Sequence, residues 1–270
     1  MNAPHSHILH VHSASAVHRQ LPYSVRFEWG LNGANVVAPG ADLAVVVDVL
    51  SFTTCVSVAL DRGAEVFPYP WKDATAEDFA AHHDAQLAGP RNGGGLSLSP
   101  ASLRAAETLE RVVLPSPNGS TIAHALASEV PLVAAVSLRN AGATAAWVAA
   151  TLPAEAVVAI VAAGERWPDE SIRPCVEDQI GAGAFIAGLV AAGKGGYEAE
   201  QGVHGYSPEA LAAKAVFDAA EPRLLEMLRD CSSGRELVGE GYADDVGIAA
   251  ELDGSSAVAL LRDGVFRRLA

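Results

Sequence analysis

Carboxylate, amide, hydroxyl and guanidinium side chains recur in this sequence directly after short apolar runs. Asp48 ends the run Leu43–Val47 and is followed by Ser51, Thr53 and Thr54. Asn118-Gly119-Ser120-Thr121 comes soon after Val112–Leu114, and Ser137-Leu138-Arg139-Asn140 after Leu132–Val136. Gly164-Glu165-Arg166-Trp167 follows Ala156–Ala162. Such side chains, with the free N–H groups of helix starts, bind anions, phosphate and carboxylate above all. Taken singly, each has a plainer role. Asp, Ser, Thr and Asn are ordinary N-caps, and an isolated Arg usually pairs with a surface carboxylate. Asp48 is harder to dismiss, because after a run of valines it must be either a cap or a ligand.

Glu177 and Asp178 open a further helical stretch, where acidic residues also complement the helix dipole. If they face the same crevice as Asp48 and Glu165, several carboxylates would repel an anionic ligand. A divalent cation resolves that conflict, and hard oxygen donors favour Mg²⁺ over zinc or copper. Other catalytic patterns are absent. Gly181-Ala182-Gly183 has Ile186 where a dinucleotide fingerprint needs its third glycine, and it lies within a helical stretch, so it reads as close helix packing. The glycines of Arg91–Gly95 lack the Gly-Lys-Ser/Thr of a P-loop, no Cys is followed by Arg six positions later, and Leu50 stands where a haloacid-dehalogenase pattern needs Asp. There is no G-x-S-x-G elbow for a serine hydrolase.

The elements that must position these residues follow from the apolar pattern. Strands are expected at Tyr23–Trp29, Leu43–Val47, Glu65–Tyr69, Val112–Leu114, Leu132–Val136, Ala156–Ala162 and Ala257–Leu261. Helices are expected over Phe52–Arg62, Ala74–Asp84, after Asn118 and Asn140, and over Val176–Ala192, with two or three polar helices in Pro208–Leu252. Gly89–Pro100 reads as a loop. Strands alternating with helices predict a three-layer α/β fold, a largely parallel sheet with helices on both faces. In such sheets the crevice lies beyond the carboxyl ends of the strands, so the four polar segments would meet at one rim.

At 270 residues, with 50% hydrophobic and 19% charged positions, the chain has ample material for a core. Residues 21–270 read as a single domain; residues 1–20, with five of the nine histidines, read as a mobile tail rather than a zinc site. The net charge of −14 and the lack of a dense basic cluster argue against nucleic-acid or membrane partners. Three scattered cysteines, no signal-peptide pattern and no membrane-length apolar run lead to the expectation of a cytoplasmic protein. Association into a homo-oligomer is compatible with the sequence and not decided by it.

The ordered set of motifs resembles one family. Val45-Val46-Val47-Asp48-Val49-Leu50, Pro117-Asn118-Gly119-Ser120, Ser137-Leu138-Arg139-Asn140-Ala141, Ala163-Gly164-Glu165, Glu177-Asp178 with Gly181-Ala182-Gly183-Ala184, and Ser233-Gly234-Arg235-Glu236-Leu237 are similar to 2-phosphosulfolactate phosphatases. Asp244-Asp245-Val246 and Asp253 also fit, so the likeness runs from about Tyr23 to Phe266. It implies an α/β fold and Mg²⁺-dependent hydrolysis of 2-phosphosulfolactate to sulfolactate and phosphate, a step toward coenzyme M, with tolerance for phosphate esters of other 2-hydroxy acids. Two departures bear on the substrate. The family pattern has Arg-Ala-Thr where this chain has Ser51-Phe52-Thr53, and Gly-Glu-Arg-Gly-Gly where it has Gly89-Pro90-Arg91-Asn92-Gly93.

On this reading Asp48, Glu177 and Asp178 would hold Mg²⁺ directly or through water. Arg139 and Arg166 would pair with the phosphate or acid group of a small anionic ester. Ser51, Thr53, Asn118, Ser120 and Asn140 would hydrogen-bond it. Glu165 would position the attacking water or protonate the leaving group, and Asp48 is the candidate should an enzyme carboxylate attack first. Two rivals use the same residues: a phosphoryl transferase, and a non-catalytic protein that binds an anionic metabolite.

Overall fold

A computed structural model describes residues 16–70, 75–194 and 204–269. Its strands are β1 (Tyr23–Trp29), β2 (Leu43–Val47), β3 (Glu65–Tyr69), β4 (Gln86–Leu87), β5 (Arg111–Pro115), β6 (Leu132–Val136), β7 (Val158–Ala162), β8 (Glu165–Arg166), β9 (Ile172–Arg173), β10 (His204–Tyr206), β11 (Ala259–Arg262) and β12 (Val265–Arg268). The helices are α1 (Gly30–Val37), α2 (Phe52–Asp61), α3 (Thr75–His82), α4 (Pro100–Ala105), α5 (Gly119–Ala127), α6 (Ala141–Thr151), α7 (Val176–Ala191), α8 (Pro208–Ala220), α9 (Leu224–Asp230), α10 (Ser232–Gly239) and α11 (Ala243–Ala249). Of the histidine-rich start, residues 1–15 lie outside the described residues. Gln20 is buried, and its amide donates to the Phe27 carbonyl and accepts from the Phe27 N–H.

The continuous Val/Ala/Ile runs become β2 and β7, buried at every position, as strands covered on both faces must be. Ten strands form one mixed, mostly parallel sheet in the order β10-β1-β7-β2-β6-β11-β12-β3-β5-β4. One face is covered by an apolar core from α1, α2, α4 and α5, the other by a core from α6, α7 and α8 with α9 and α10 beyond. The glycines of the Gly181-Ala182-Gly183 segment do serve close packing. A Cβ on Gly183 would lie 2.2 Å from the Ala213 carbonyl oxygen of α8, and one on Gly181 would lie 2.5 Å from a Val49 methyl.

The sheet departs from the sequence reading at its centre. The last strand is a hairpin, β11 and β12, inserted antiparallel between β6 and β3. It reverses the direction of β3, β5 and β4 relative to β2, β6 and β7. Twist of about 20–25° per strand accumulates to about 100–125° over the five steps from β2 to β5. The carboxyl end of β5 is thereby carried back toward that of β2, and the two ends meet. Four helices, α8–α11, occupy the expected two or three, and α1 fills a stretch to which the sequence pattern assigns no element.

Candidate active site

Asp48 extends β2 into the crevice, and its carboxylate joins two helix starts. One oxygen, Oδ1, accepts the Phe52 N–H at 3.1 Å, and Oδ2 accepts the Gly119 N–H at 3.0 Å. These are the first residues of α2 and α5, so two partly positive helix ends converge on one carboxylate. Gly119 is required by the approach itself: a Cβ there would lie 2.6 Å from Asp48 Oδ2 and 2.4 Å from the Phe52 ring. Thr53 fixes the backbone of the same turn, its hydroxyl donating to the Asp48 carbonyl and accepting the Asp48 N–H. The adjoining Leu50–Ser51 peptide is cis.

Asp178, in the first turn of α7, joins the turn after β2 to the turn after β7. Its Oδ1 accepts the Val49 N–H at 2.7 Å and its Oδ2 accepts the Gly164 N–H at 2.9 Å. Gly164 adopts φ +63°, and a Cβ there would sit 2.9 Å from the Arg173 carbonyl oxygen, so both conformation and space select glycine. Glu177 is buried beside them, within hydrogen-bonding reach of the Cys231 thiol. At the mouth stands Glu165, which is exposed and accepts both the Asn118 side-chain amide and the Arg166 N–H at 2.9 Å.

The charges in this group are not balanced by cations. None of the ion pairs among the described residues involves Asp48, Glu177 or Asp178. Burial pushes the Asp48 carboxyl up to about 6; its two backbone hydrogen bonds oppose the rise, and the charges of Glu165 and Glu177 add to it. Burial likewise holds Asp178 well above the usual carboxylate range, reinforced by Asp48 and Glu177. Cys231 is pushed up to about 12, by burial first and Glu177 second. Buried carboxylates without a paired cation are costly.

That deficit, and an all-oxygen donor set, fit a hard cation such as Mg²⁺ in charge and in donor type. Among the described residues, no three His, Cys, Asp or Glu side chains converge closely enough to ligate one ion together. Mg²⁺ does not require that many, since it is commonly held by one or two carboxylates with water and substrate phosphate completing its shell. Each oxygen of Asp48 and Asp178 keeps a lone pair beyond the backbone N–H that it accepts.

The other residues singled out in the sequence are distributed unevenly. Ser51 and Asn118 lie at this crevice, whereas Thr53 is wholly buried with its hydroxyl committed to the Asp48 backbone. Ser120 is wholly buried and donates to the Leu114 carbonyl. Asn140 caps its own turn through the Ser137 N–H and donates to the Ala135 and Ala257 carbonyls. Arg139 is 3% exposed and binds Asp61, Glu251 and the Ser57 hydroxyl. Asp61 closes α2, roughly 13 Å from its Phe52 end by helical rise, so this guanidinium is drawn away from Asp48. The end of β6 therefore brings neither Arg139 nor Asn140 into the group around Asp48. Arg166 is exposed and pairs with Glu170.

Two arginines that sequence reasoning passed over are nearer. Arg91, in the glycine-rich loop, donates from Nη2 to the Ser51 hydroxyl at 2.7 Å and from Nε to Asp245 at 3.3 Å. Asp245 is itself buried, accepting the Ser99 hydroxyl and the Ala101 N–H. Arg173 of β9 donates to the Ser233 hydroxyl at 3.4 Å and lies over the Trp167 ring. The signal for Arg91 was its place in the Gly89-Pro90-Arg91-Asn92-Gly93 segment, where the family pattern also has Arg.

Comparison with known proteins shows which family the chain belongs to. The family model for 2-phosphosulpholactate phosphatase matches residues 36–264. A probable 2-phosphosulfolactate phosphatase of Thermus thermophilus is 33% identical over 83% of this chain and 90% of its own length. Proteins of the same name from Parasynechococcus marenigrum and Gloeobacter violaceus are 32% and 29% identical, each over 80% of this chain. The match takes in every residue of the Asp48 group, and the chain belongs to the 2-phosphosulpholactate phosphatase family.

Proposed function

We propose that this protein hydrolyses the phosphate monoester of a small 2-hydroxy acid of the 2-phosphosulfolactate kind, with Mg²⁺ held by Asp48, Glu177 and Asp178, one or two of them directly and the rest through water. The observation that carries this reading is that three neighbouring acids, Asp48, Glu177 and Asp178, are buried without a paired cation where the turns after β2 and β7 and the starts of α2 and α5 meet. When bound, Mg²⁺ would draw charge from the phosphoryl oxygens and keep the neighbouring carboxylates ionised.

The remaining work falls to the chain. The helix-start N–H groups and the Asn118 amide supply donors beside the phosphoryl group. Arg91, fixed by Asp245 next to Ser51, supplies a planar guanidinium for an anionic oxygen. Glu165 stands at the solvent edge with its oxygen already oriented by Asn118, placed to align a water or to return a proton to the departing alkoxide. Asp48 is buried and rigidly held, and it is the carboxylate we assign to the reacting phosphorus side.

The three described cysteines are buried and unpaired, which supports a reducing, cytoplasmic setting. No helix among the described residues is long and apolar enough to cross a membrane. The direct test is phosphate release from phosphosulfolactate, phospholactate and phosphoglycerates, each with Mg²⁺ and with EDTA. Release that needs Mg²⁺ supports the proposal, and the best ester defines the acid group. Tight binding without release would favour the metabolite-binding alternative, and transfer to an added acceptor the transferase.

A further inference from the structure

A cavity of about 450 Å³ opens beside the Asp48 group, and it shares the same two turns. Asn118 and Glu165 form one wall, each next in sequence to a glycine whose N–H holds Asp48 or Asp178. The lining also carries the apolar side chains of Trp29 and Leu31 at the start of α1, of Ile122 of α5, itself only 2% exposed, and of Ile172 of β9, together with the polar Asn32, Thr121 and Ser171. Ile172 is 42% exposed, a large aliphatic side chain left bare at the edge. The charged residues that line the cavity are Glu165, Glu170 and Arg166, and Arg166 is paired with Glu170. The balance is therefore negative, and a second anionic group is unwelcome there.

Pockets of about 300–1,000 Å³ accommodate molecules well beyond a three-carbon phosphorylated acid. Such an acid, with its phosphate on the Asp48 side, leaves this apolar space unfilled. We infer that the substrate is a phosphorylated 2-hydroxy acid bearing an uncharged apolar substituent, aliphatic or aromatic, seated against Trp29, Leu31, Ile122 and Ile172. This rests on the phosphatase reading for the position of the phosphate. Burial of the substituent draws on the hydrophobic effect alone, so it should tighten binding without altering the chemistry at phosphorus.

The test compares the phosphate esters of lactate and of 3-phenyllactate on the full chain with Mg²⁺, by phosphate release and by calorimetric titration. The phenyl ester should show a KM at least tenfold lower at similar kcat. Leu31→Gln and Ile172→Asn, which make the cavity lining polar, should each remove that preference while leaving phospholactate turnover within about twofold. Equal or poorer use of the phenyl ester, with phospholactate hydrolysed, overturns the inference and leaves the phosphatase reading intact. If neither ester is hydrolysed, and phosphosulfolactate is not either, the phosphatase reading fails. Calorimetry then decides the pocket: tighter binding of the phenyl ester, lost in both variants, supports it, and equal binding of the two esters overturns it.

Discussion

Asp48 is subject to opposing influences within one side chain. Two backbone N–H groups favour its ionised form, while burial and the charges of Glu165 and Glu177 favour the protonated one, and burial wins. An acid whose folded pKa lies above its unfolded value holds more protons in the native state, so its contribution to stability is full below the unfolded pKa and is lost as pH rises to the folded one. For Asp48 that contribution is lost as pH rises from about 4 to about 6. In EDTA, the protein should therefore melt at a lower temperature at pH 7.5 than at pH 5. Asp48→Asn should remove that pH dependence, because the amide does not ionise, while it gives up one of the two accepted N–H groups and turnover falls at least a thousandfold. Denaturant titrations at the two pH values check the first part, and single-turnover phosphate release the second.

Arg91, not Arg139, stands at the crevice where the sequence suggests an anion-binding guanidinium. Arg139 follows an apolar run at a helix start, which is where an anion-binding side chain belongs. Its actual partners, Asp61 and Glu251, are 78 and 112 residues away in sequence, and no local pattern announces them. Arg139→Met should cost roughly 1–3 kcal/mol of stability, moderated because Asp61 and Glu251 are partly exposed. It should leave KM unchanged within about twofold. Arg91→Ala should instead raise KM for the phosphate ester about tenfold or more, and it should also lower the melting temperature because buried Asp245 loses its ion-pair partner. Steady-state kinetics and thermal denaturation of both variants separate the two roles.

At the scale of elements, the site is a junction of helix starts. The N-termini of α2, α5 and α7 are brought together by hydrogen bonds that run between elements rather than along them. Gly119→Ala should drive a methyl group into Asp48 and the Phe52 ring, lowering kcat at least a hundredfold even where the protein still folds. Kinetics on the refolded variant, with circular dichroism as the control, give the answer.

Much of this level was legible in the sequence, because β2, β6, β7, α2 and α7 have apolar runs long enough to declare their type. The hairpin β11–β12 was only half read. Asp263 and Gly264, both at positive φ, are a two-residue turn of the kind that Asp-Gly signals, and the strand after it was overlooked for its brevity and its two arginines. Helix α1 was hidden because Gly30, Asn32, Gly33 and Asn35 are weak helix formers, held in place by packing of Ala34 and Val37.

For the whole molecule, the hairpin β11–β12 joins the two halves of the sheet, which run in opposite senses. Phe266 of β12 is fully buried and meets the Phe52 ring edge-on, with centroids 6.2 Å apart. Phe52 in turn donates its N–H to Asp48, so the C-terminal hairpin supports the catalytic turn. Phe266→Ala should cost about 3–5 kcal/mol and lower kcat as well. A variant that is destabilised but fully active per folded molecule would break that link.

The account rests most heavily on the Asp48 group as a metal-dependent phosphate-ester site. The most direct test is phosphate release from 2-phosphosulfolactate and phospholactate by the wild-type protein and Asp48→Asn, each with Mg²⁺ and with EDTA. Release by the wild type with Mg²⁺ alone, and by the variant in neither condition, is the predicted result. Undiminished release in EDTA, or near-normal release by a folded Asp48→Asn protein, would contradict it.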